Sequence, residues 1–222
     1  MKAVSMIITV GNIKGGVGKS TIAANLAVLL SGTSSGKVAL IDGDKQGSAA
    51  EFTNAREETK GDAGFTCVRA VGAEVRAQAK GLADTFSHVI VDAGGQDNPA
   101  LRAALTISDK DLVPVPPKSF EAWSLDVMAD LVAEVRETVN PDLEAYAFVN
   151  MGFPQGQDNM TAHALIKEDN PAFVPILRAI CQRKAFSDAA GQGLSVIEGN
   201  DRKAQEEFLS VMHDAGLYRD NI

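Results

Sequence analysis

Short apolar runs punctuate this chain, and between them apolar residues return every three or four positions. The runs Met6 to Val10, Val38 to Ile41, Thr66 to Val68, His88 to Val91, Asp111 to Val115 and Ala145 to Val149 predict strands. The stretches at helical spacing predict helices over Ile22 to Leu30, Gly47 to Glu58, Glu74 to Ala83, Leu101 to Ser108, Glu121 to Thr138, Ala162 to Glu168 and Arg202 to Ala215. Such alternation implies an α/β fold of three layers, a mostly parallel central sheet with helices on both faces. Ligands then gather at the carboxyl ends of the strands.

The first such end carries the strongest signal. Lys14, Gly15, Gly16, Val17, Gly18, Lys19, Ser20 and Thr21 lie between the first strand and the first helix. Glycines there let successive backbone amides turn around one cluster of phosphate oxygens, at the positive end of a helix. Lys19 supplies a mobile cation for the β and γ oxygens, Ser20 a hydroxyl for Mg²⁺, and Thr21 a reach to the α-phosphate. A GK[ST] triplet recurs by chance, but eight fitting positions in a strand–loop–helix setting point to a nucleoside triphosphate.

Ile13 stands where the common phosphate loop has its first glycine, and Lys14 follows it. This form resembles the KGG-x-GK-[ST] signature of the ParA/MinD family of P-loop ATPases. The resemblance implies a P-loop NTPase fold, with ATP and Mg²⁺ as cofactors. It also implies a homodimer in which Lys14 crosses to the nucleotide held by the other subunit.

The resemblance continues along most of the chain, from Met6 to about Ile197. Asp42-Gly43-Asp44-Lys45-Gln46-Gly47 is similar to the family's D-x-D-PQG switch, with Lys45 in place of the usual proline. Its two carboxylates are two positions apart and point the same way in extended chain, one structural and the other catalytic. By position Asp44 inherits the role of orienting the attacking water. Asp92 closes a Walker B-like run and would hold a Mg²⁺-bound water, while Ala93-Gly94-Gly95 replaces the commoner T-P-P. Ser20, Asp44 and Asp92 are thus the candidate metal residues. Asp111 to Ser119 resembles the family's strand and proline turn, and Trp123 beyond it reads as a packing residue on its helix. Asn150 matches the asparagine that reads adenine, its amide giving and accepting hydrogen bonds at once, although an asparagine closing a strand is also an ordinary turn residue. Ile180 to Ala189 and Gly193 resemble the late I-P-R…SEAPS…G segment, with the loop from Cys181 bordering the adenine.

Composition refines this picture. A chain of 222 residues with 45% hydrophobic content buries one full core, so residues 1–222 are expected to form a single domain. Because the chain starts at its first strand, no N-terminal helix-turn-helix extension is expected, which favours the short plasmid-partition type of ParA. Cys67 and Cys181 lack C-x-x-C partners and read as small buried residues, not as zinc or iron–sulfur ligands. The run from Val4 to Val10 is too short for a membrane span and lacks a cleavage pattern, so a cytosolic protein is expected.

A net charge of −8 repels polyanions at long range. A local patch still suffices for salt-sensitive binding, and Arg178, Arg183, Lys184, Arg202 and Lys203 are the candidate DNA contacts, with ion pairing as their alternative use. The last helix is amphipathic, yet it carries Glu206, Glu207, Asp214 and Asp220 against Lys203 and Arg219, the wrong balance for anionic lipid. It is expected to pack on the domain.

The function implied is a ParA-type ATPase for DNA partition or cargo positioning. It would associate with nonspecific DNA when ATP-bound and be stimulated by a centromere-binding or adaptor protein. A MinD-like membrane-positioning ATPase and a metabolic synthetase of the dethiobiotin type are the alternatives.

Overall fold

The computed structural model describes residues 5–33, 36–95, 99–117, 121–155 and 157–219. Seven strands form one sheet in the order β3-β2-β4-β1-β5-β6-β7, with every neighbouring pair parallel. They are β1 (Met6–Val10), β2 (Val38–Asp42), β3 (Thr66–Arg69), β4 (His88–Asp92), β5 (Lys110–Val115), β6 (Glu144–Gly152) and β7 (Val174–Cys181). The helices are α1 (Lys19–Thr33), α2 (Ser48–Lys60), α3 (Glu74–Ala83), α4 (Pro99–Leu105), α5 (Glu121–Thr138), α6 (Asp158–Ala164), α7 (Lys184–Ala190) and α8 (Arg202–Asp214).

Successive side chains leave a strand on opposite faces, so each apolar run feeds two cores. Ile8, Leu40, Ile90, Leu112 and Phe148 point to one side, where α1, α2 and α8 cover them. On the other side Val113, Ala145, Ala147 and Val149 meet α4 and α5, while Ile7, Ile41 and Val91 meet α3 and α4. The expected three-layer α/β fold is the observed one.

The final helix packs on this body as its charge pattern implied. Ala204, Phe208, Val211 and Met212 are buried, and fully burying such an apolar side chain contributes about 1.5–3 kcal/mol. Asp201 caps the helix by accepting from the Ala204 amide at 3.1 Å. Among the described residues no helix is long and apolar enough to cross a membrane.

Several expectations shift. Strand β7 is absent from the sequence reading, because an edge strand is partly exposed and Pro175 and Arg178 break its apolar run. Helix α7 forms where a loop was expected, and α6 starts at Asp158 and passes into a π-helical turn over Leu165–Asp169. Trp123 is not a packing residue: it is 76% exposed. It lines a groove with Ile13 and Val127. Lys118 and Ser119 lie outside the described residues, as does Asp220.

Candidate functional site

At the carboxyl ends of β1, β2 and β4 the chain encloses a cleft of 730 Å³. The loop after β1 supplies Gly15, Gly16, Gly18, Lys19, Ser20 and Thr21, the turn after β2 supplies Asp44 to Gln46 and Ser48, and Gly95, Pro99 and Met151 close the remaining sides.

The loop is tied at both ends. Asn12 donates from Nδ2 to the Pro114 carbonyl at 2.9 Å and accepts the Lys14 amide at 2.9 Å. Farther on, Asn150 donates from Nδ2 to the Val17 carbonyl at 2.7 Å. Gly18 has a φ of +90°, and a Cβ there would come within 2.5 Å of that Nδ2, so glycine is required twice over. Lys19 is buried and donates from Nζ to the Lys14 carbonyl at 2.7 Å. Burial lowers its pKa, while Asp92 and Asp44 act to raise it. Gly95 sits on the loop, where a Cβ would lie 2.9 Å from the Gly15 Cα and 3.3 Å from the Lys19 Nζ.

The carboxylates divide by their partners. Asp42 and Asp92 are register partners on β2 and β4. Asp42 accepts the Ala50 amide at 2.9 Å and the Asp44 amide at 3.2 Å, so it fastens the turn to the start of α2. Asp44 lines the cleft and accepts the Gln46 amide at 3.0 Å. Asp92 is buried beside Ser20 and Lys19, and among the described residues no hydrogen bond to its carboxylate oxygens is formed. Burial pushes its pKa up to about 7; the neighbouring Ser20 hydroxyl and Lys19 oppose the rise, and Asp42 and Asp44 add to it.

An unpartnered buried carboxylate beside a hydroxyl is a set of hard oxygen donors. Ser20, Asp92 and Asp44 therefore fit a magnesium ion, which keeps most of its waters and takes only one or two protein ligands besides phosphate. No cluster of three or more His, Cys, Asp or Glu side chains suited to a metal occurs among the described residues, and a phosphate-bound magnesium needs none.

Most of the expected site residues meet here; the exceptions are informative. Lys14 and Val17 belong to the loop, but neither lines the cleft, and the Val17 side chain is buried; Asp92 too is fully buried beside the loop and does not line the cleft. Asn150, 5% exposed, gives one amide hydrogen to the Val17 carbonyl and so ties the loop to β6, and Met151 is the β6 residue at the cleft wall. The segment after Cys181 does not border the cleft. Instead, Asn25 accepts the Ser195 hydroxyl and the Val196 amide, both at 2.7 Å, and the buried Arg56 pairs with Glu198 at 2.6 Å. Those contacts bind the late glycine segment to α1 and α2. Asn12 and Arg56 were missed, the first because an asparagine before a glycine loop looks like any turn residue.

The five basic residues do not form one patch of free cations. Arg183 is clasped by Glu207 through bonds of 2.6 and 3.0 Å. That contact raises the pKa of Arg183, and the same guanidinium draws Glu207 down against its burial. Arg178 pairs with Asp214 at 3.5 Å and Lys184 with Asp188 at 3.6 Å. Arg202 and Lys203, exposed at the start of α8, have no ion pair to a described residue.

A family profile described as the CobQ/CobB/MinD/ParA nucleotide binding domain matches residues 8–196. The chain belongs to this ParA/MinD family. The match ends before α8 and includes both switch turns and the segment at Ser195. The chain is 26% identical over 211 residues to the maintenance of carboxysome distribution protein A of Halothiobacillus neapolitanus, covering 93% of this chain and 94% of the relative. Its fold is similar to that of Cyanothece McdA, an aspartate-to-alanine variant solved with ATP, at a TM-score of 0.81 and 19% identity over 98% of both chains. A plasmid partition protein from Borrelia burgdorferi has a TM-score of 0.70 at 20% identity, over 95% of this chain and 97% of that one.

Proposed function

We propose that this ParA/MinD-family protein is an ATP-hydrolysing positioning ATPase whose nucleotide state switches it between monomer and homodimer. The observations that carry this reading are a cleft lined by Gly15, Gly16, Gly18 to Thr21 and Asp44, and the buried Asp92 carboxylate beside Lys19 and Ser20 of that same loop. Backbone amides of Gly15 to Lys19 hold the phosphates, Lys19 leaves the Lys14 carbonyl for the β and γ oxygens, and Thr21 approaches the α-phosphate. Ser20 and Asp92, with Asp44, hold magnesium, which when bound neutralises charge on the phosphates. Asp44 orients the attacking water. Lys14, outside the cleft of its own subunit, reaches the nucleotide of the other.

Cargo positioning is favoured over plasmid partition by the relative that shares most of its length with this chain, a protein named for the distribution of carboxysomes. Arg183 is held by Glu207, so nonspecific DNA binding draws on Arg202 and Lys203 of the two subunits, with Arg178 and Lys184 only weakly engaged by exposed ion pairs. An adaptor that completes the site would set the hydrolysis rate. The packed, acidic α8 speaks against a membrane-binding alternative.

Light scattering with a non-hydrolysable ATP analogue and magnesium tests the switch. Wild-type protein is expected to dimerise and Lys14→Ala to remain monomeric while still binding nucleotide. Trp123, the sole tryptophan, lines a groove with Ile13 next to Lys14, so its fluorescence should shift to the blue on pairing. A wild-type protein that stays monomeric with the analogue bound overturns the proposal.

A further inference from the structure

The turn that carries Asp44 has no proline ring to stiffen it. Lys45 stands where proline would fix φ near −65°, yet the turn is held from outside. Arg69, the last residue of β3 and the register partner of Asp42, reaches across it and donates from Nη2 to the Lys45 carbonyl at 3.3 Å. Its guanidinium lies against Gly47, where a Cβ would come within 3.3 Å of Nη2 and 3.4 Å of Cζ. Gly47 has a φ of +76°, and its amide donates to the Asp44 carbonyl at 3.2 Å. Gln46 donates its amide to the Asp44 carboxylate at 3.0 Å. Backbone and side chain of Asp44 are therefore set by the same turn that Arg69 clasps, although Arg69 itself does not line the cleft.

We propose that Arg69 is a positioning residue for Asp44, holding the Lys45–Gly47 turn from the sheet edge in place of the missing ring. This rests on the reading of Asp44 as the group that orients water. A displaced catalytic group costs rate without costing substrate binding. The short side chain of alanine removes both the hydrogen bond and the cover over Gly47, whereas lysine keeps one donor. No described hydrogen bond uses the Lys45 amide, so proline can be introduced there without removing one.

Steady-state ATPase assays and amide hydrogen exchange on the full chain test this. Arg69→Ala is expected to lower kcat roughly tenfold with KM for ATP changed less than about twofold, and Arg69→Lys to fall between it and wild type. In a Lys45→Pro background, Arg69→Ala should cost much less kcat than it does in the wild-type background. In the nucleotide-free protein, exchange at Gln46 to Ala50 should quicken in Arg69→Ala and slow again in the double variant. Unchanged kcat in Arg69→Ala, a KM that rises in step with the loss, or an undiminished loss in the Lys45→Pro background would each overturn the proposal. Unchanged exchange would overturn it independently of hydrolysis. A wild-type protein that does not hydrolyse ATP would instead sink the role given to Asp44, with the exchange arm still deciding whether Arg69 holds the turn.

Discussion

The two ends of this molecule treat charge in opposite ways. Around the C-terminal segment nearly every buried or half-buried charge has a partner: Arg56 holds Glu198, and Glu207 holds both Arg183 and the Cys181 amide. At the phosphate loop Asp92 is buried with no described hydrogen bond to either oxygen, and the described hydrogen bond of the buried Lys19 ammonium goes to a backbone carbonyl. Paired charges there fasten α2 and α8 to the body, and removing one partner leaves the other stranded. An unpartnered buried carboxylate does nothing for stability, so its place beside a phosphate loop is explained by a ligand.

Asp111 complicates this contrast, since its carboxylate is also buried with no described hydrogen bond, yet it lies under Gly11 and not beside Lys19 and Ser20. It packs under Gly11, where a Cβ would lie 2.7 Å from its Oδ1. Burial raises its pKa well above the usual value, and the Gly11 backbone and Arg136 only partly offset this.

The contrast can be broken most severely in the packed half. Phe208→Ala empties a fully buried site under the sheet and is expected to cost about 3–5 kcal/mol of stability, read by chemical denaturation. It should leave nucleotide affinity of the folded fraction unchanged. In the cleft, Asp44→Ala should lower ATP turnover about 10²-fold or more with little change in melting temperature, because Asp44 is half-exposed and its loss strands no buried group.

Asp111→Val should stabilise by about 1–3 kcal/mol near neutral pH, since it removes an unpartnered buried carboxyl. The sign with pH follows from the raised value. Stability from a carboxyl held above its unfolded pKa is fully present below that unfolded value, and it is lost as pH rises through the folded one. The gain from Asp111→Val should therefore be larger at pH 8 than at pH 5, measured by melting temperature; a gain independent of pH would assign the effect to packing alone. The smallest effect is expected at Arg183. Because Glu207 already neutralises it, Arg183→Gln should change ATP-dependent DNA affinity less than about twofold, whereas Arg202→Gln with Lys203→Gln should weaken it and flatten its salt dependence.

Much of the fold was legible because most strands are buried on both faces and so read as uninterrupted apolar runs, such as Val38 to Ile41 and His88 to Val91. Strand β7 was not, since it is partly exposed and Pro175 interrupts it. Trp123 was misread for a related reason: spacing along α5 does not say whether another element covers that turn of the helix. Asn150 was placed at the right strand end, but its bond to the Val17 carbonyl joins residues far apart in sequence.

By itself, the sequence determined that a glycine loop would lie between a strand and a helix and that acidic residues would end two strands. Those features depend on neighbours along the chain: backbone amides that can turn together, and apolar runs that carry a carboxylate to the sheet's end. Only the tertiary structure decided that Asp42 is a brace while Asp44 faces the cleft, that Arg183 belongs to Glu207, and that Arg69 reaches Lys45. A charge's partner, and hence its burial cost and its availability to a ligand, is set by groups that folding brings from distant parts of the chain.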